Sequence, residues 1–181
     1  MKFIKGLLIA VLLIVTAPIL SRTAQHISLQ QLLAAAQQNQ TKHSNPGLAQ
    51  MKQFDPQQIR SLVNKKNASG MTALMYAAGT GNLPMVKWLV KMGANINNDK
   101  SGRAQDWTAI MYAIYAGKNH HDFSVAEWLI NHASSLKGQT TNLMHQALTP
   151  GARKQYDIKL YEFAKANGAP DTLLELIKSK S

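Results

Sequence analysis

The chain has 181 residues, 45% of them hydrophobic, with 20 Lys and Arg against 9 Asp and Glu for a formal net charge of +11, and it contains no cysteine. Neither a disulfide framework nor a lipid-modified cysteine end is therefore available, and stability must come from packing. The length suits one domain with a core of its own, and the basic excess is spread along the chain without a run of five like charges or aromatic interleaving, which argues against a nucleic-acid partner.

The amino end has the layout of a processing segment. Met1–Lys5 carries two lysines, Gly6–Val15 is an unbroken apolar run, and small residues follow at Thr16, Ala17, Ser21 and Ala24. That order of charge, apolar stretch and small residues is the order of a secretory signal. Residues 1–24 are therefore expected to direct export, with a periplasmic or secreted mature chain beginning near Ser21–Gln25. The alternative is a retained inner-membrane anchor facing the periplasm, which would make the chain a membrane-tethered scaffold, since Phe3–Leu20 comes close to the roughly 20 apolar residues of a span.

Residues 25–62 read as an N-terminal helical cap or a degenerate repeat. Ser28-Leu29-Gln30-Gln31 has the form of a capping box, and Leu29, Leu32, Leu33 and Ala36 fall on one face of the helix it opens. Asn45-Pro46-Gly47 sits in a stretch, residues 40–53, that fits either a loop or a poor helix. Asp55-Pro56 then starts a short helix through Ile59 and Leu62.

Two later stretches are near copies. Thr72-Ala73-Leu74-Met75-Tyr76-Ala77-Ala78 returns as Thr108-Ala109-Ile110-Met111-Tyr112-Ala113-Ile114, and Trp88-Leu89-Val90 as Trp128-Leu129-Ile130. Self-similarity at this spacing predicts a solenoid, in which each unit buries its apolar face only against its neighbours. Thr72 is placed to cap the first helix, the alanine pair keeps that helix thin, and Met85, Trp88 and Leu89 make an apolar stripe on the second. Gly93 is placed for a left-handed helix stop. The second unit gains residues twice, in the hairpin around Asp99–Trp107 and between the helices around Lys118–Ser124, where insertions are expected to form loops. A weaker unit opens at Thr141-Asn142-Leu143-Met144-His145-Gln146-Ala147 and closes at Ala166-Asn167-Gly168-Ala169, and Asp171 starts a final capping helix.

The first unit closely resembles the ankyrin repeat. Gly70-Met71-Thr72-Ala73-Leu74 is similar to the family's repeat opening, Gly81-Asn82 to its inter-helix turn and Gly93-Ala94-Asn95-Ile96-Asn97 to its close, while Val63-Asn64 repeats Ile96-Asn97 at the family's period of about 33 residues. Ala73 and Met75 depart from the family's usual Pro and His. The resemblance implies an all-α ankyrin-like solenoid over residues 63–181, of about three helix-turn-helix repeats with hairpin loops and helical caps at both ends. It further implies a non-enzymatic module that binds a partner protein, with no cofactor, no metal and no small-molecule substrate. Small exported bacterial ankyrin proteins share this layout, which implies a protective role, as an immunity or stress protein.

In ankyrin stacks the hairpin tips and the exposed side of the first helices form the binding surface. Register then puts Ser69, Met71 and Thr80 of the first unit there, beside Ala68 and Gly79, and Arg103, Trp107 and Tyr115 of the second, beside Ala116. Trp, Tyr and Arg dominate interface energetics. Trp107 has a second reading, in which it folds back over the insertion. The competing class is a metal-dependent hydrolase centred on His120, His121 and Asp122, with His132 near and Ser124 as a nucleophile, but adjacent histidines in a loop point apart and no glycine elbow surrounds the serine. Met75, Met111 and Met144 recur at one repeat position, which fits core filling better than copper ligation. His145 falls at the inward register of Tyr76 and Tyr112.

Overall fold

The computed structural model describes residues 26–38, 44–97, 107–134, 136, 140–146 and 153–181. The segment expected as a leader, the expected hairpin insertion through residue 106 and Arg103 within it lie outside the described residues.

The first six helices each start at a side-chain cap that the sequence offers. In α1 (Leu29–Gln37) the Ser28 hydroxyl accepts from the Gln31 N–H at 3.2 Å while the Gln31 side chain accepts from the Ser28 N–H at 2.8 Å, a complete capping box. The undecided stretch is helical: α2 (Pro46–Met51) is capped by Asn45, with Pro46 in its first turn where a missing N–H costs nothing. Asp55 caps α3 (Pro56–Leu62) in the same way. Thr72 and Thr108 cap α4 (Ala73–Gly79) and α6 (Ala109–His120), and Asn82 caps α5 (Leu83–Lys91), which ends ahead of Gly93 at φ 98°. Then come α7 (Ser124–His132), an antiparallel ribbon of β1 (Thr140–Gln146) and β2 (Arg153–Lys159), α8 (Leu160–Ala166) and α9 (Asp171–Lys180).

The helices stack in two rows. α1, α4, α6 and α8 pack successively as an inner row, and α2, α5, α7 and α9 as an outer row. One continuous core runs between them, from Ile27 and Leu32 through Leu74, Met75, Met85, Leu89, Ile110, Met111 and Leu129 to Phe163 and Ile177. Because each unit buries apolar surface only against the next, the order of contacts follows the order of the chain. Lys180 fastens the last outer helix by donating to the Asn131 carbonyl at 2.9 Å.

Two sequence expectations are corrected here. The segment opening at Thr141 is not the first helix of a third unit but strand β1, in which His145 lies opposite Lys154 across the ribbon. Thr140 and Thr141 are β-branched and Gln146 replaces the packed alanine of the helical units, so the segment lacks the thin apolar face that made the other copies helices. Ala166-Asn167-Gly168-Ala169 is consequently not a repeat close. It is the inter-helix turn of the last pair, where the Asn167 amide donates to the Phe163 carbonyl at 2.8 Å, α8 packs on α6, and α9 packs on α7.

The inserted residues between the helices of the second unit were expected as a loop. Most of them lengthen the helix: α6 has 12 residues where α4 has 7. In the first unit the Thr80 hydroxyl donates to the Tyr76 and Ala77 carbonyls and ends the helix, whereas the second unit has Ala116 in that register and nothing to compete with the ladder. The helix runs on until His121 takes a left-handed conformation at φ 53°, a region where His is tolerated better than most side chains.

Candidate functional site

The residues expected on the binding surface divide into two groups. Ser69 is exposed, and its N–H donates to the Asn67 side chain at 3.0 Å, which shapes the hairpin tip. Thr80 is half-buried and committed to the helix stop. Met71, by contrast, is only 4% exposed and belongs to the core, so its placement on the surface is corrected; Ala116, at 3%, is buried as well. The reason is local. Met71 immediately precedes the capping threonine, the position from which a large apolar side chain turns inward onto the first turns of its helix.

Trp107 stands at the same position of the second unit and behaves the same way. Its ring meets Tyr112 edge-on at 5.3 Å, Tyr115 at 5.2 Å and Phe163 of α8 edge-on at 5.2 Å. It is a half-buried wedge between α6 and the C-terminal pair, rather than a free anchor. Its indole N–H is buried and finds no acceptor among the described residues. Tyr115 is different: at 43% it is the exposed large hydrophobic side chain among the described residues. Tyr112, whose ring lies 3.7 Å from where a Cβ on Gly79 would stand, joins this aromatic group on α6 to the end of α4.

Rigidity comes from polar bonds between units. The Asn82 side chain is fully buried; its oxygen accepts from Met85 N–H at 3.1 Å and from the Asn45 amide at 2.6 Å, and its amide donates to the Gln38 carbonyl at 3.1 Å. Asn64 donates to the Gly93 carbonyl and accepts from Asn95 N–H, both at 2.9 Å, and the Asn97 amide donates to the Ser134 hydroxyl. Asparagines at the ends of successive units thus clasp the loops of the next. The sequence carried this signal in the recurring aliphatic-Asn pair.

His120, His121 and Asp122 do not converge. His120 closes α6, the His121 N–H donates to the Gly117 carbonyl as part of the helix stop, and one Asp122 oxygen accepts from Ser124 N–H at 2.9 Å to start α7. Phe123 folds under them so tightly that a Cβ on Gly117 would stand 2.6 Å from its ring. His132 stacks on Trp128 with centroids 3.9 Å apart and its Nδ1 lies 2.8 Å from the Trp128 carbonyl. Among the described residues no three His, Asp or Glu side chains gather as a metal site.

Residues 21–137 match the family model described as ankyrin repeats in three copies. Over 80 residues the chain is 36% identical to the mouse (Mus musculus) "Ankyrin repeat and SAM domain-containing protein 6", and equally to its rat (Rattus norvegicus) counterpart. That stretch is 44% of this chain and 8% of either relative, so the chain spans a small part of their length.

Proposed function

From the premise that this chain belongs to the ankyrin repeat family, and is a protein-protein interaction module on that account, we propose that it binds its partner on the inner-helix face of the second unit and does so after export. The carrying observation is Tyr115, an exposed aromatic ring backed by Trp107 and Tyr112 on a rigid helix row. An aromatic held in one orientation loses little conformational freedom on binding, which is what makes such residues affinity anchors. Exposed Ser69 and half-buried Thr80 are the positions of the first unit that the repeat register assigns to this face.

The role is protective: the module acts by occupying a partner, as an immunity or stress protein, and performs no chemistry itself. The leader-like segment and the layout shared with small exported bacterial ankyrin proteins support this. The test is recovery of a partner from envelope extract by the immobilised protein. Tyr115→Ala is expected to weaken capture at least tenfold with an unchanged melting curve, and undiminished capture would remove this face as the site.

A further inference from the structure

The outer helices of the two internal units carry different charges on the same frame. Lys87, Trp88 and Lys91 of α5 fall, forty residues on, at Glu127, Trp128 and Asn131 of α7. The repeat accepts an acid and an amide at these places, so nothing in its packing requires the two lysines. Both are exposed, one turn apart on one side of α5, and the half-buried Trp88 ring lies three residues from Lys91 on that side. A third cation joins them. The two hydrogen bonds from Asn64 to Gly93 and Asn95 hold the following residue, exposed Lys65, at the C-terminal end of α5. No acidic side chain from this part of the chain offsets them, because Asp55 is the only acidic residue before Asp99.

We propose that this outer face of α5 docks onto an anionic phospholipid bilayer, leaving the inner helix row to the protein partner. Lysines are compact point charges on long apolar stems, suited to a diffuse layer of phosphates, whereas an acidic protein site is better read by the bidentate fork of arginine. A partly exposed indole beside them sits naturally at headgroup depth. The basic bias also runs from α5 back to the amino end, a stretch whose only acidic residue is Asp55, so the attraction is not confined to one pair of lysines.

The experiment is cosedimentation of the full chain with phosphatidylcholine vesicles, with and without phosphatidylglycerol, at low and high salt. The wild type is expected to bind about tenfold or more tightly when phosphatidylglycerol is present, with the gain fading as salt rises. The decisive variant combines Lys87→Glu and Lys91→Asn with Glu127→Lys and Asn131→Lys, an exchange between the two helices that leaves net charge unchanged. It should lose the gain while keeping the wild-type circular dichroism; should it fail to fold, Lys87→Gln with Lys91→Gln decides in its place. Absence of a phosphatidylglycerol-dependent gain in the wild type overturns the proposal, as does a gain that survives the exchange, since net charge alone would then explain it. Equal attraction to a polyglutamate matrix with none to the vesicles overturns it in favour of an acidic protein.

Discussion

Trp107 and Tyr112 meet edge-on at 5.3 Å across the first turn of α6, with the capping Thr108 between them in sequence. This is a hydrophobic staple: a large apolar side chain just before the cap packs on the fourth helical residue and fixes the angle at which the chain enters the helix. The same ring reaches Phe163, so one side chain sets the start of α6 and the docking of α8.

Trp107→Ala is therefore expected to cost about 3 kcal/mol, near the lower end for removing a large ring because this one is half-buried. Trp107→Phe should cost less than about 1.5 kcal/mol, since it keeps the staple and discards an N–H that has no acceptor among the described residues. Urea unfolding of the two variants checks the order, and equal losses would contradict the staple.

Asn82 joins the first helix pair to the first internal unit through part-buried bonds to Asn45 and Gln38 while capping α5 through a buried one. Asn82→Ala removes a cap and leaves the Asn45 amide and the Gln38 carbonyl without this partner, so a loss of about 3 kcal/mol is expected. Amide exchange should accelerate in α1 and α2 as well as in α5. Faster exchange confined to α5 would mean that the inter-unit bonds carry little.

The repeats, the capping box, the cap at Thr72 and the short helix after Asp55 were legible because each depends on residues within a turn of one another, whereas the sequence around Asn45 is open to either a loop or a helix. The ribbon was not: β1 and β2 stabilise each other across a gap, and a near copy of a helical motif outweighed the β-branched threonines and the missing alanine. Likewise, the exposure of Tyr115 was legible, because it follows from helical phase. Met71 was misread, because position in the hairpin suggested solvent while the side chain ahead of the cap turns inward, and of the two readings of Trp107 the structure has the one in which the ring folds back. Trp88 was placed in the apolar stripe of its helix with Met85 and Leu89, but it and its counterpart Trp128 are only half-buried against the core, whereas Met85 and Leu89 are fully within it.

That last difference changes an expected magnitude. Trp88→Ala and Trp128→Ala should each cost about 1–3 kcal/mol, below the range for full burial, whereas Leu89→Ala and Leu129→Ala, at sites with no exposed surface, should each cost about 2–5 kcal/mol. Thermal melting of the four variants gives the ranking. A larger loss at either tryptophan than at its neighbouring leucine would reverse the assignment of which side of the outer helices faces the core.

Chelation tests the catalytic alternative. A bound metal stabilises the native state by mass action, so its removal lowers the melting temperature. His121 and Asp122 already serve the turn between α6 and α7 through the bonds to Gly117 and Ser124. No shift with chelator is expected, and His120→Ala should melt like the wild type. A reproducible chelator-sensitive shift that this substitution abolishes would bring the hydrolase reading forward.

The start of the fold bounds where the proposed leader can end. Ile27 is 1% exposed in the core, and its N–H donates to the Gln58 side chain at 3.1 Å, so the chain is tied into the domain from that residue onward. Among the described residues no helix is long and apolar enough to cross a membrane, which leaves the apolar amino end as the segment in question. A cut near Ser21–Gln25 leaves Ile27 and the Ser28 cap in place. Mass spectrometry of a periplasmic fraction is expected to find chains that begin in that window and melt like the full protein. A chain shortened to begin at Ser28 should lose about 2–4 kcal/mol through the vacated Ile27 site and the lost bond to Gln58. Recovery of intact Met1 in the membrane fraction would instead establish the anchor.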